Sequence, residues 1–335
     1  MIQPLENRLL LFAFSLNAGT LSVGPDSLDR MDLSVSVSLD SYRVLDSASG
    51  FFQDFPASQV ARISLAGGAG DDVLRIEHSI TLPVVLSGGG GNDILIPGRG
   101  PTGIFGGPGT DTADFSLFND KLVLSADDQV NDGIAGQSTG LSNIASDVET
   151  LIGGAGNDHI VGSSSANLLM GNGGKDTLIG GDGNDTLSGG NKNDLLIGGK
   201  GADFLIGGPG GADRADYSDR TAALSLTLDG IANDGETDEN DNLAGTIEVL
   251  VGGAGDDTII GSGRSQLFFG GGGDDLLRGG GGGDTLQGDD GNDTLMGEGG
   301  DDVIFARDGG RDLIIGGSGT DLADTDGADN VSAIP

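Results

Sequence analysis

Apolar residues along this chain follow two rhythms. In Leu33-Ser-Val-Ser-Val-Ser-Leu39 and Leu224-Ser-Leu-Thr-Leu228 they alternate strictly with polar ones. That is the period of a strand with one buried face. Elsewhere one apolar residue returns at a wider, regular interval, as Leu74, Leu95, Ile160, Leu178, Leu187, Leu196, Leu205, Ile259, Leu277, Leu286, Leu295 and Ile304. The residues between are mostly Gly, Asp and Asn. Helices would need apolar neighbours three and four apart, so the pattern predicts an all-β chain of very short strands separated by glycine-rich turns.

The interval is nine residues. Gly171-Asn-Gly-Gly-Lys-Asp176-Thr-Leu178-Ile is followed by Gly180-Gly-Asp-Gly-Asn-Asp185-Thr-Leu187-Ser, then by copies beginning at Gly189 and Gly198. A later array begins at Gly270, Gly279, Gly288 and Gly297, and isolated or shorter copies begin at Gly67, Gly88, Gly106, Gly153, Gly252 and Gly316. The first six positions read as a turn. Glycine at positions one, two and four allows positive φ and close backbone approach, turning carbonyl oxygens inward, and the Asp at position six adds a carboxylate. Positions seven to nine read as a strand whose middle residue points inward. Two nonapeptides then make one coil with a strand on each side, and turns on the same side stack about 4.8 Å apart. Carbonyls and carboxylates suit Ca²⁺, a hard cation that takes 6–8 oxygens. One ion would sit between a turn and the turn two repeats later, shared by both Asp side chains. The candidate ligands are Asp72, Asp93, Asp111, Asp158, Asp176, Asp185, Asp194, Asp203, Asp257, Asp275, Asp284, Asp293, Asp302 and Asp321.

A longer duplication overlies the short one. Gly106–Ser116 resembles Gly207–Ser218, Val130–Gly133 matches Ala232–Gly235, and Val148–Asp158 matches Ile247–Asp257. The organisation read from this is an N-terminal β cap at 1–66, repeat segments at 67–114, 153–213 and 252–324, β inserts at 115–152 and 214–251, and a tail at 325–335. The inserts are expected as hairpins or edge strands against the repeats, and the cap as cover for an otherwise exposed sheet edge.

Composition sharpens this. The 335 residues include 66 Gly, no Cys and no Trp. Such a chain can build only a thin core of small apolar side chains, and it has neither disulfides nor thiolate metal sites. Asp and Glu total 52 against 16 Lys and Arg, a net charge of −36. That opposes binding to nucleic acid or to an anionic membrane surface. No apolar run approaches the ~20 residues of a membrane span. Leu9–Phe14 is too weakly shaped for a signal peptide.

The repeats resemble the RTX, or haemolysin-type, calcium-binding family over most of 67–324. The resemblance implies a right-handed parallel β-roll, extracellular Ca²⁺ binding and often type I secretion. Departures stand at Asn167 and Gln266, neutral amides where Asp belongs, and near Asp213 and Asp312, where one extra residue breaks the phase. Weaker or empty sites are expected on the two amide turns, and the phase breaks put ligation in doubt at the other two. Pro4–Leu11 resembles a short motif near the start of large bacterial surface proteins.

No catalytic set is visible. His78 and His159 are the only histidines, so there is no His-x-x-x-His zinc pair, and no G-x-S-x-G elbow occurs. Asp238–Asn242 begins like an EF-hand loop but has Leu243 in place of its glycine. The reading is a non-enzymatic, secreted or surface Ca²⁺-binding protein that folds on binding the ion, with a structural or adhesive role and an unknown surface or matrix partner. The alternative is a secretion and folding domain of an exported enzyme or toxin.

Overall fold

A computed structural model describes residues 12–25, 31–47, 50–136 and 142–332. Pro4–Leu11 lies outside these residues, as do the first three positions of Leu9–Phe14. Among the described residues there is no α-helix, only a 3₁₀ turn at Ala57–Gln59. The strands stack as a parallel β-solenoid, consistent with a β-roll. The chain divides into two compact units, residues 1–163 with 167–172, and 164–166 with 173–335.

The first unit opens with antiparallel pairing. Phe12–Asn17 pairs with Thr20–Pro25, and Asp32–Ser38 with Ser41–Asp46, which pairs in turn with Phe51–Pro56. Two of these strands seed parallel stacks. Arg62–Ala66, Val84–Ser87 and Thr102–Phe105 add successively to Thr20–Pro25. Val73–Ile76, Ile94–Ile96, Thr112–Asp114 and Thr150–Ile152 add to Asp32–Ser38. The alternating segment thus serves as the platform on which the repeats stack. Leu33, Leu74, Leu95, Ala113 and Leu151 line up in register, each with 0% exposure.

The second unit shows the repeat at its most regular. Thr177–Asp182 pairs with Leu195–Lys200 in parallel, Leu178 opposite Leu196. Leu267–Gly272, Thr285–Asp290, Val303–Ala306 and Leu322–Thr325 form one stack, and Thr258–Ile260, Leu276–Gly281, Thr294–Gly299 and Leu313–Ser318 another. Each position-eight Leu or Ile is fully buried, worth roughly 1.5–3 kcal/mol apiece. A one-residue slip would turn every one of them to solvent, so the register is strongly specified.

Strands in the arrays are longer than the three residues the sequence suggests. Thr177–Asp182 runs from position seven through position three of the next repeat, with Leu178 and Gly180 both buried. The side-chain period of two carries the inner face on from position eight to position one. Glycine is required there, because a Cβ on Gly180 would stand 2.3 Å from Asp185 Oδ2 and 2.3 Å from the Gly198 carbonyl oxygen.

The inserts contribute coils as well as loops. Leu122–Ser125 and Ser225–Thr227 stack in parallel on His159–Val161 and Thr258–Ile260, burying Leu124 and Leu226. Asn143–Ile144 joins Thr102–Phe105, and Asn242–Leu243 joins Phe204–Ile206. In each insert one buried Asp, Asp132 or Asp234, ties the first of these strands to the second.

Candidate metal centres

All fourteen candidate ligands are buried, between 0 and 3% exposed. Stacking aligns them in columns. The backbone N–H of Asp275 donates to Oδ1 of Asp293 at 2.9 Å, that of Asp284 to Asp302 at 2.8 Å, and that of Asp185 to Asp203 at 2.8 Å, each 18 residues on. The same bond joins Asp93 to Asp111, Asp176 to Asp194, Asp257 to Asp275 and Asp302 to Asp321. One oxygen of each carboxylate is therefore tied to the coil before it, fixing the side chain.

The other oxygen is left over. Oδ2 of Asp93, Asp111, Asp194, Asp203, Asp275, Asp284, Asp293, Asp302 and Asp321 is buried without a hydrogen-bond partner. An orphaned buried carboxylate oxygen is costly unless a cation meets it. The surroundings are oxygen-rich. Built on Gly270, a Cβ would meet Asp275 Oδ2 at 2.2 Å and the Gly288 carbonyl oxygen at 2.5 Å. At position two, a Cβ on Gly271 would meet the Gly253 carbonyl oxygen at 2.1 Å, and at position four one on Gly291 would meet that of Gly273 at 1.8 Å. Gly271 has φ +111 and Gly291 φ +158. The glycines thus let each turn's carbonyls approach the next turn closely. Carbonyl oxygens and unpartnered carboxylates in one cradle form a donor set that fits Ca²⁺.

Without a cation, burial raises these carboxyl groups. Asp111, Asp213 and Asp284 are pushed up to about 6, and Asp275 and Asp293 to about 7. Desolvation is the main cause. The N–H bond each accepts opposes it, and the neighbouring carboxylates add to it.

Three candidates differ. Asp72, Asp158 and Asp257 each bond two backbone N–H groups, one through each oxygen. The N–H bonded by Oδ1 belongs to Met31, Leu122 and Leu224 respectively, apolar residues occupying position six of the coil before. These three head their columns, and a shared site needs a carboxylate on both coils.

The phase breaks leave the columns intact. Asp194 N–H donates to Asp213 Oδ1 at 2.9 Å, and Asp293 N–H to Asp312 Oδ1 at 2.8 Å, each 19 residues on. The extra residue is Gly210 in one turn and Gly309 in the other. Both have positive φ and open space around them. Oδ2 of Asp213 and of Asp312 is buried and unpartnered like the rest.

Amides satisfy themselves. Asn167 accepts from Ser163 N–H and donates to the Glu149 carbonyl at 3.2 Å, while Gln266 accepts from Ser262 N–H and donates to Ser262 Oγ at 2.7 Å. An amide N–H here meets the kind of oxygen a cation would otherwise meet.

Several column members escaped the sequence reading. Glu149 accepts from Asp111 N–H, Glu248 from Asp213 N–H and Asp241 from Asp203 N–H, across 38, 35 and 38 residues. Asp241 is stoppered, because the Tyr217 hydroxyl donates to its other oxygen at 2.9 Å. The signal that finds them is the apolar residue two positions further on, Leu151, Leu250 and Leu243. A second, exposed ladder runs along position five, as in Asp274 N–H to Asp256 and Asn292 N–H to Asp274.

Comparison with known families agrees with this geometry. The model of the RTX calcium-binding nonapeptide repeat (4 copies) matches residues 84–101, 145–178, 179–211, 244–263 and 269–304. No curated protein matches the chain.

Proposed function

We propose that this chain, which carries RTX calcium-binding nonapeptide repeats, is a secreted or cell-surface structural protein whose solenoid is completed by Ca²⁺ held between stacked turns. The repeats themselves are a calcium-binding, non-catalytic fold, and no catalytic role is assigned to the rest of the chain. The observation that carries the reading is the row of buried Oδ2 atoms without partners. Asp93, Asp111, Asp194, Asp203, Asp275, Asp284, Asp293, Asp302 and Asp321 would hold the ions, with Asp176 and Asp185 in the same columns. Bound Ca²⁺ supplies positive charge where stacked carboxylates otherwise face one another. The chain's own part is to fix those carboxylates through the N–H ladder and to bring turn carbonyls to the same place.

An extracellular role fits weak sites of this kind. Sites with Kd near 10⁻⁴ M, ordinary for extracellular modules, each contribute about 1.4 kcal/mol at millimolar Ca²⁺ and almost nothing at sub-micromolar levels. Calorimetric titration of the chelated, full-length chain tests the reading. Several Ca²⁺ equivalents with Kd near 10⁻⁴ M and no heat with equimolar Mg²⁺ are expected. Absence of Ca²⁺ binding up to ~10 mM would overturn it, since such sites would be nearly empty at extracellular levels.

A further inference from the structure

The turn that carries an extra glycine near the C-terminus gathers more charge than its neighbours. Carboxylate oxygens of Asp293, Asp308 and Asp312 lie within 4.8 Å of one another. Ligands about 2.4 Å from one ion stand at most about 5 Å apart, so the three fit around a single cation. Asp293 and Asp312 are 1% and 0% exposed, and Oδ2 of each is buried without a partner. Asp308 sits at the solvent side of the same turn.

The extra residue explains how Asp308 reaches them. Position three of the preceding coil in this column is Asp290, the last residue of Thr285–Asp290 and exposed. One nonapeptide before the widened turn ends, the strand Val303–Ala306 stops at position one. The chain then leaves the sheet, Gly309 bulges with φ +96, and Gly310 N–H donates to Asp308 Oδ1 at 2.6 Å. Asp308 is thereby folded over the turn rather than held in a strand pointing outward. The other widened turn has Pro209 at the same position and no third carboxylate.

We propose that Asp293, Asp308 and Asp312 form a three-carboxylate divalent-cation site, the tightest Ca²⁺ site of the second unit. Residues 308 and 312 lie beyond the stretch that the repeat family's model matches. The proposal rests on the Ca²⁺ reading above and adds to it a site of different composition. The ordinary gap between two coils supplies two carboxylates, and in oxygen-ligand sites affinity rises with the number of charged ligands.

The test is competition titration of the full chain with Ca²⁺ against a chelator, comparing the unmodified protein, Asp308→Asn and Asp290→Asn. Asparagine keeps the oxygen that accepts from Gly310 N–H, so the turn is retained while one charge is removed. The unmodified chain should show one equivalent bound at least about ten-fold more tightly than the rest. Asp308→Asn should weaken that equivalent about ten-fold, to the affinity of the others, which stay unchanged, and Asp290→Asn should leave all of them as they are. An Asp308→Asn titration that superimposes on the unmodified protein would overturn the proposal while leaving the wider Ca²⁺ reading standing. Equal losses in both variants would also overturn it, by showing that general charge and not a site is responsible. A chain that binds no Ca²⁺ would sink both.

Discussion

Two kinds of buried aspartate stand side by side in this molecule. Asp234, in an insert, is 1% exposed, and so is Asp284, in an array. Burial raises both to about 6. Asp234 accepts from Thr227 N–H and Oγ1 through one oxygen and from Leu243 N–H through the other. Asp132 does the same with Ser125 and Ile144. Asp284 accepts one N–H, from Gln266, and its second oxygen has no partner. Neither burial nor a raised pKa therefore separates Asp284, a proposed ligand, from the clasp Asp234. The unpartnered oxygen does.

The comparison breaks most sharply at the clasp. Asp234→Ala strands two backbone N–H groups and a hydroxyl at the base of the insert loop, each worth about 1–3 kcal/mol when left unsatisfied and buried. A loss of about 3 kcal/mol or more is expected in thermal melts, the same at every Ca²⁺ concentration high enough to fold the chain. A loss that vanished at high Ca²⁺ would make Asp234 a ligand.

Asp284→Asn acts the other way. The amide oxygen still accepts from Gln266 N–H, but the charge is gone. The expected loss is about 1.4 kcal/mol per affected site at millimolar Ca²⁺, with a shallower dependence of melting temperature on Ca²⁺. Parallel curves for variant and unmodified protein would place Asp284 with the clasps.

Acidity sharpens the contrast further. Asp275 and Asp293 titrate near 7 when folded without metal, against 3.8 as the ordinary value. Between those limits the folded form holds protons that the unfolded form has released, so the metal-free fold loses stability as pH rises from about 4 to 7. Acidifying the chelated protein through that window should increase its β signal, and added Ca²⁺ should abolish the dependence. A β signal that falls on acidification would contradict the assignment.

The smallest effect belongs to Asp182. It lies at position three, exposed, 3.7 Å from Lys200. Surface pairs of this kind contribute about 0–1 kcal/mol, so Asp182→Asn should leave both melting and Ca²⁺ titration nearly unchanged.

The parts of this arrangement that repeat were legible in the sequence. Leu178, Leu187 and Leu196 announce the core because position eight is the one place that is apolar in copy after copy, and Asp176, Asp185 and Asp194 follow from the same phase. What stayed hidden was set by distance along the chain. Glu149, Glu248 and Asp241 enter the columns across 35 to 38 residues, and no fixed period survives a loop of that length. The bulges at Gly210 and Gly309 were hidden because a frame shift in sequence looks the same whether the turn absorbs it or the column breaks. The pairing rule was also hidden. Asp72, Asp158 and Asp257 match the motif as well as Asp275 does, and only the coil before them, with Met31, Leu122 or Leu224 at position six, shows that no carboxylate precedes them in their columns.

The central claim is that Ca²⁺, through those unpartnered oxygens, is what makes the repeats fold. Far-ultraviolet circular dichroism of the chelated chain, titrated with Ca²⁺ and separately with Mg²⁺, addresses it most directly. The account predicts little β signal at the start, a cooperative rise with Ca²⁺ near 10⁻⁴ M, and no rise with Mg²⁺, which demands a smaller octahedral cage. A chelated chain with full β signal and a melting temperature unchanged by Ca²⁺ would contradict it.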